Sequence, residues 1–204
     1  MSNKPTTAAR PRLHSEERRA TIVEAAGRLF GGRGYDATTL EDVAAAAGVT
    51  KPILYRHFES KRDLYLALLR RHRDDLPTFA DAIPASGSPE EVVRAVLEVW
   101  LDYVESHLYA WRMLFRDRGG GPVIEAFRRE VQDSARAVLA ELLDQLTQGA
   151  VPRREREPLA ELMRMGMASL VLWWAETPDV SRGAVLDAMT RAWLGLVGAA
   201  GPPQ

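Results

Sequence analysis

Apolar residues recur every three or four positions in each segment between about residue 15 and residue 198. No stretch alternates apolar and polar residues for long enough to form a strand. This period is typical of helices that bury one face. Glycines and prolines interrupt the pattern at 31–34, 48, 77–87 and 119–122. The spacing between these breaks predicts an all-α fold of about nine helices.

The predicted helices fall into an N-terminal unit, a connecting helix and a larger helical body. We expect residues 1–14 to be a disordered basic tail, because they contain prolines and basic residues and almost nothing to bury. Residues 15–60 form three helices, and residues 61–76 form the connecting helix. Residues 77–200 are expected to form the body, which begins with a proline-containing joint at 77–87. Its first helix is expected to start at the capping box of Ser88 and Glu91 and to bury Val92, Val96, Val99, Trp100 and Tyr103. The last two helices are expected at about 158–176, with Pro158 at the first position, and at about 182–198.

The segment from Thr39 to Phe58, TLEDVAAAAGVTKPILYRHF, places two short helices around one glycine. Thr39 with Asp42 three residues later predicts the start of the first helix. Gly48 can take the left-handed backbone that ends it. Four small residues, Ala44 to Ala47, allow the two helices to cross closely. The second helix then exposes basic and aromatic side chains, an arrangement that suits the major groove of DNA.

Charge and composition point to a polyanionic partner for the front of the chain only. The first 75 residues hold 14 Lys and Arg against 10 Asp and Glu, whereas the rest hold 13 against 18. Random scatter of surface charge is the alternative explanation. The chain has no cysteine, no HExxH, P-loop, GxGxxG or GxSxG motif, and four histidines without metal-ligand spacing. We therefore expect a cytoplasmic protein that is not an enzyme and has neither cofactor nor metal.

The front of the chain resembles the DNA-binding domain of TetR-family transcriptional regulators over roughly residues 15–65. The resemblance rests on Ile22, Ala25, Ala26, Leu29, Phe30, Gly34, Tyr35, Asp36, Thr38, Thr39, Asp42, Val43, Ala44, Ala47, Gly48, Val49, Lys51, Leu54, Tyr55, His57, Phe58, Ser60, Lys61 and Leu64. It implies a helix-turn-helix domain at 15–60 that binds a palindromic operator as a dimer. It also implies that the C-terminal helices form the dimer and a pocket for a small inducer.

The resemblance further implies a set of DNA contacts, namely Thr39, Thr50, Lys51, Pro52, Ile53, Tyr55, Arg56, His57 and Lys61. Phosphate contacts are expected for Thr39, Tyr55 and Lys61, the last from the N-terminus of its helix. Base edges are expected to meet Lys51, Pro52, Ile53 and Arg56, and Arg56 can pair bidentately with guanine. For each of these side chains, an ordinary surface role is the alternative.

Some positions in this set are less sharply defined. Pro52 departs from the small residue that the family frequently has there, and its ring either rigidifies the first turn or contacts a thymine methyl group. His57 is expected to pack against the first helix or to contact a phosphate, and contact with a base is the alternative. Two alternatives remain open for four arginines of the tail and first helix. They either contact the DNA backbone or minor groove or are disordered; these residues are Arg10, Arg12, Arg18 and Arg19.

Aromatic and methionine side chains are concentrated in the body, where they can line an apolar ligand pocket between helices. The candidates are Trp100, Tyr103, Trp111, Phe115, Phe127, Met163, Met167 and Trp173. Filling a core without a cavity is the alternative role. An effector in such a pocket is expected to be apolar or aromatic.

The last two helices are apolar on more than one side, most clearly at 170–174, which reads LVLWW. Within a chain of this length, a second copy is the simplest partner for the extra apolar surface, giving a four-helix interface across a two-fold axis. The expected interface residues are Leu170, Trp174, Met189, Trp193 and Leu196.

These observations predict a sequence-specific DNA-binding regulator, a repressor that a small, largely apolar ligand releases from a palindromic operator. Activation stays open at this point, because its sign depends on where the operator lies. The alternative function is a helical protein-interaction module that has the same fold and does not bind DNA.

Overall fold

The computed structural model describes residues 9–74 and 87–199. These residues form nine α-helices and no strand, which confirms the predicted all-α class. The helices are α1 (Ala9–Arg33), α2 (Leu40–Ala46), α3 (Lys51–Tyr55), α4 (Lys61–Asp74), α5 (Pro89–Ser106), α6 (Leu108–Phe115), α7 (Gly121–Leu146), α8 (Arg153–Trp174) and α9 (Arg182–Ala199). Residues 1–8 of the expected tail and residues 77–86 of the expected joint lie outside the described ranges. Within those ranges, no helix is long and apolar enough to cross a bilayer.

The start and end of α1 differ from the prediction. The helix begins at Ala9, so residues 9–14 are helical and the predicted start at Ser15 is wrong. Pro11 does not prevent this, because it lies in the first turn, where an N–H has no partner within the helix. The helix also continues through Gly31, which we expected to end it. A Cβ atom at Gly31 would lie 2.6 Å from the Cβ of Tyr109, so this glycine allows α1 and α6 to pack closely.

The first four helices share one apolar core, which extends into the body. α1 contributes Ile22 and Phe30, and α3 contributes Leu54. The same cluster includes Met113 of α6 and Ile124 of α7. Since α4 also packs here through fully buried leucines, the helix-turn-helix unit and the body share continuous apolar packing.

A second core fills the body, where α5 packs against α9 and α7 packs against α8. The buried face of α5 differs from the prediction: Val99 is exposed and Val92 is only partly buried. The residues that α5 buries are Val93, Val96, Leu97, Trp100, Leu101 and Val104. These residues follow the helical period on a face rotated away from Val99, because α5 must cover both α9 and the aromatic residues of α6.

The start of α8 also differs from the prediction. The helix begins at Arg153, five residues before Pro158, which we expected at its first position. Pro158 removes one bond to the carbonyl of Arg154. Both residues are exposed, so water can solvate that carbonyl.

Candidate DNA-binding surface and ligand cavity

The start of α2 and the turn before α3 are fixed by short-range hydrogen bonds. The Thr39 hydroxyl accepts a bond from the Asp42 amide at 3.1 Å, and the Asp42 carboxylate accepts one from the Thr39 amide at 3.0 Å. Gly48 has a φ of 65°, the left-handed conformation that the sequence predicted. The Val49 amide then donates to the Ala44 carbonyl at 3.0 Å. These contacts set the angle at which α3 leaves α2.

Two buried side chains hold α3 against the core and thereby determine which residues face outward. Leu54 is fully buried, and Phe58 follows it into the same core. Consequently Lys51, Pro52 and Arg56 are exposed, and Tyr55 is 46% exposed. The five other predicted contacts are either exposed or partly buried. Thr39 and Thr50 are exposed, and Ile53, His57 and Lys61 are partly buried.

The cations of α3 are not equally available. Lys51 forms an ion pair with Glu41 of α2, and its ammonium lies 5.8 Å from the centre of the Tyr55 ring. This hydrogen-bonded pairing raises the pKa of Lys51 and lowers that of Glu41. Among the described residues, no carboxylate pairs with Arg56. The Arg56 guanidinium is therefore the cation of α3 that is available to a base edge.

The N-terminal half of α1 adds positive charge beside α3. The Arg19 guanidinium lies 5.1 Å from the centre of the Phe58 ring. Burial lowers the pKa of His57, and the charges of Arg56, Arg18 and Arg19 lower it further. His57 is thus uncharged at neutral pH, and the positive charge at this edge comes from arginines. The side chains of Arg10 and Arg12 lie outside the described part of the chain.

Lys61 has a role that the sequence did not predict. Its ammonium donates to the carbonyls of Tyr35 and Thr38, each at 2.9 Å, and lies 4.3 Å from the centre of the Tyr35 ring. It therefore fastens α4 to the turn between α1 and α2. The phosphate contact stays a prediction, and it has to share the ammonium with these two carbonyls.

A cavity of about 600 Å³ lies among α4, α5, α6, α7 and α8. Five of the eight predicted pocket residues line it, namely Trp100, Tyr103, Trp111, Phe115 and Met167. The rings of Trp100, Trp111 and Phe115 contact one another in series, since Trp111 lies 5.5 Å from Trp100 and 4.6 Å from Phe115 between ring centres. The walls are largely apolar, as the aromatic composition of the body indicated.

Three predicted pocket residues lie outside the cavity. Met163 is buried in the body core, and Phe127 lies beneath the guanidinium of Arg73, 5.4 Å from it. Trp173 is 50% exposed on the outer face of α8. The cavity instead uses residues that the sequence reasoning missed, including His72 at the end of α4 and Ala135 in the middle of α7. The small residues on one face of α7 were the sequence feature that could have indicated that this helix lines the cavity.

Between the cavity and the helix-turn-helix lies a buried polar network centred on Asp117. Its carboxylate accepts hydrogen bonds from the hydroxyl of Tyr65 at 2.8 Å, the amide of Tyr35 at 2.8 Å and the amide of Gly119 at 2.9 Å. The guanidinium of Arg128 lies 3.4 Å from it. Asp117 thus connects the α6–α7 loop with α4, α7 and the turn after α1.

Arg128 completes this network. Its guanidinium donates to the Met113 carbonyl at 2.9 Å, to the Gly119 carbonyl at 2.9 Å and to the Tyr65 hydroxyl at 2.7 Å. Burial is the main reason that the pKa of Tyr65 is raised. A buried network with every strong donor engaged positions its members closely.

The predicted dimer residues divide into two groups. Met189 and Trp193 are buried inside the protomer, where α9 packs against α5, so they cannot face a partner. Leu170, Trp174 and Leu196 are partly buried, and the indole of Trp174 donates to the Val180 carbonyl at 2.8 Å. The sequence could not separate the two faces of α9, because the helix is apolar on both.

The exposed apolar surface lies elsewhere on the same two helices. On α8, Leu162, Met165 and Trp173 are all at least half exposed. On α9, most of the exposed positions carry small residues, which include Ala188, Ala192 and Gly195, and Arg191 is exposed among them. Large side chains on one helix and small ones on the other suit close helix packing across an interface.

Comparisons with known proteins agree with this architecture. Residues 22–68 match the model for bacterial regulatory proteins of the tetR family. The chain is 29% identical over 188 residues to the HTH-type transcriptional activator FasR of Mycolicibacterium smegmatis. The matched region covers 91% of this chain and 85% of FasR. It is 32% identical over 101 residues to the HTH-type transcriptional repressor KstR2 of Mycobacterium tuberculosis, half of whose length it spans.

Solved structures extend the similarity to the body. A TetR-like transcriptional regulator from Rhodococcus sp. RHA1 is 28% identical, with a TM-score of 0.67 over 89% of this chain and 96% of that one. The ketosteroid regulator KstR2 of Mycobacterium tuberculosis shares the fold, with a TM-score of 0.69 at 21% identity over 91% of this chain and 96% of that one. Residues 22–68 of the chain match the tetR family of bacterial regulatory proteins, and the chain as a whole is similar to TetR-like regulators, so we conclude that it is a DNA-binding transcriptional regulator.

Proposed function

We propose that this regulator is a homodimeric repressor, and that a small, largely apolar molecule in the cavity releases it from a palindromic operator. The observation that carries the proposal is that the exposed cationic edge of α3 and the apolar cavity border one continuous core, to which Leu54 of α3 and Leu114 of the cavity wall both belong. The proposal includes no catalytic step, cofactor or metal. Its place of action is the cytoplasm, where a bacterial operator lies.

In the proposed complex, α3 lies in the major groove and Arg56 pairs with a guanine. Thr50 supports a phosphate contact, because its hydroxyl makes no capping bond in α3. Tyr55 projects from the same exposed edge. Two N–H groups of the Lys61 ammonium bind carbonyls, and the third contacts a phosphate. Arg18 and Arg19 approach the DNA backbone from α1.

A second copy of the chain covers the exposed face of α8 and α9. The two-fold axis then separates the two α3 helices by one turn of the DNA helix, about 34–36 Å, or by a larger whole number of turns. Both helices can then enter the major groove on one side of the duplex. The proposed dimer explains why Leu162 and Trp173, large apolar side chains, remain exposed in the single chain.

The effector acts through α4 and α6. The cavity contacts the C-terminal end of α4 through His72, whereas the N-terminal end of the same helix holds the α1–α2 turn through Lys61. A ligand that fits better when α4 is displaced lowers the affinity for DNA by its differential affinity alone. FasR is a transcriptional activator and KstR2 is a transcriptional repressor. Repression by this chain requires an operator that overlaps the promoter.

The test begins with selection of bound sequences from random duplexes, which should return a palindrome. With that site, Arg56→Ala should lose about 1–3 kcal/mol of discrimination at one base pair in each half-site. Lys61→Ala should weaken all sequences alike and reduce the salt slope by about one unit. Arg129→Ala is the matched control, since its exposed guanidinium pairs with Glu125 on the outer face of α7. Absence of salt-sensitive affinity for any duplex would overturn DNA binding and favour the interaction-module alternative.

A further inference from the structure

Two arginines reach the cavity wall, and each is already paired with carboxylates. Arg164 donates from Nε and Nη2 to the two oxygens of Glu161, at 2.8 and 2.5 Å. Arg73 lies 2.9 Å from Asp74 and 3.6 Å from Glu130. Among the described residues, no arginine or lysine faces this cavity without an anionic partner.

The pair between Arg164 and Glu161 is the more enclosed of the two. The Arg164 side chain is only 10% exposed, and its guanidinium lies 5.8 Å from the centre of the Phe115 ring in the cavity wall. The bidentate hydrogen bonds are the main reason that the pKa of Glu161 is lowered, so Glu161 stays ionised at neutral pH. Arg136 lies 3.9 Å from Glu161 but pairs more closely with Asp133, at 2.9 Å.

The remaining charged group in the wall has the wrong sign for an anionic ligand. Glu141 of α7 accepts a hydrogen bond from the Gln145 amide at 3.3 Å. A carboxylate or sulfonate brought into this space would lose its water and meet one more anion, while both arginines are occupied. Such burial of an uncompensated charge is strongly unfavourable.

The cavity is also long. Wall residues on α7 extend from Val131 to Gln145, which corresponds to about 21 Å along a helix axis. The aromatic cluster of Trp100, Trp111 and Phe115 forms another part of the wall. The space therefore suits an extended molecule with an aromatic or hydrocarbon body.

We propose that the cavity selects neutral, elongated apolar molecules over anions of the same shape, and that Glu161 sets this selectivity by holding Arg164. The proposal rests on the effector site assigned under the proposed function. It makes Glu161, which is not itself in the cavity wall, a specificity-determining residue. When Glu161 is neutralised, the Arg164 guanidinium becomes available to an anionic ligand.

A pair of fluorescent probes tests the proposal on the full-length protein. N-phenylnaphthylamine is neutral, and anilinonaphthalene sulfonate has the same ring system with an added sulfonate. The wild type should bind the neutral probe at least about tenfold more tightly than the anion, which corresponds to about 1.4 kcal/mol. Glu161→Gln should raise the affinity for the anion by about tenfold and change that for the neutral probe by less than threefold.

Two further variants make the result specific. Glu125→Gln removes a carboxylate from an exposed arginine pair on α7 and should leave both affinities unchanged. Ala135→Trp fills the cavity and should weaken the neutral probe about tenfold, whereas a probe on the exposed α8 face would be unaffected. Circular dichroism and the Tm of each variant establish that it is folded.

The outcomes separate this proposal from the proposed function. Equal or tighter binding of the anion by the wild type, or no gain for the anion in Glu161→Gln, would overturn the charge selectivity and leave DNA binding and effector control intact. Failure of both probes to bind, with operator binding preserved, would overturn the selectivity and the effector site together. Loss of operator binding in the wild type would instead count against the proposed function.

Discussion

Replacing Arg128 with Met tests whether the Asp117 network holds the helix-turn-helix unit to the body. The side chains of Arg128 and Asp117 are 7% and 9% exposed, so the substitution leaves a buried carboxylate without its cation. Removal of one partner from a buried ion pair typically costs about 3–5 kcal/mol. Asp117 keeps three donors, from Tyr65, Tyr35 and Gly119. We therefore expect a loss near the lower end, about 3 kcal/mol.

Thermal unfolding at fixed protein concentration measures this loss, because the Tm of the proposed dimer would depend on concentration. For a protein of this size, each kcal/mol shifts the Tm by about 2–4 °C, so Arg128→Met should lower it by about 6–12 °C. Arg129→Met, one residue along on the exposed face, should change it by less than about 4 °C, since exposed pairs contribute at most about 1 kcal/mol. If both variants give the same small shift, the network contributes nothing to the junction and the reasoning is refuted.

Three other perturbations test separate parts of the structure. Tyr65→Phe should lower the free energy of unfolding, measured in urea at neutral pH, by about 1–3 kcal/mol. Because burial raises the pKa of Tyr65 in the folded state, the wild type should lose this advantage as the pH rises above the unfolded-state pKa of about 10. A difference between the two proteins that does not change with pH would contradict this. Gly48→Val should cost about 1–3 kcal/mol through backbone strain and weaken operator binding, while Gly32→Ala, which lies in α1 in open space, should be neutral or slightly stabilising. Leu162→Glu should give monomers by light scattering and lose operator binding, and an intact dimer would rule out the α8 face as the interface.

Features that depend on nearby residues could be predicted from the sequence. In the capping boxes Thr39–Asp42 and Ser88–Glu91, the two residues are three positions apart in the sequence. Both pairs form the expected reciprocal hydrogen bonds. The left-handed Gly48 follows in the same way, because the turn leaves few residue types acceptable there. Local chemistry alone was enough to place α2 and α3.

Contacts between distant residues could not be predicted in this way. Lys61 binds carbonyls 23 and 26 residues earlier, and the Tyr65 hydroxyl meets a carboxylate 52 residues later. A single sequence gives no signal for such pairs, since a basic residue at a helix start is equally compatible with a phosphate and with a carbonyl. The same limit explains why aromatic composition indicated a cavity but assigned Trp173 to the wrong side of α8.

The placement of the buried polar groups indicates how a cavity ligand can influence α3. Met113 and Leu114 of α6 lie in the core shared with α1–α4, and their carbonyls accept bonds from Arg128 and from Gln132 of α7. Leu114 is also part of the cavity wall. A ligand that moves α6 must therefore either carry Arg128, and with it Asp117, or break buried hydrogen bonds at a cost of about 1–3 kcal/mol each. Since carrying the network costs less, movement at the cavity should reach the α1–α2 turn as a displacement of a rigid unit.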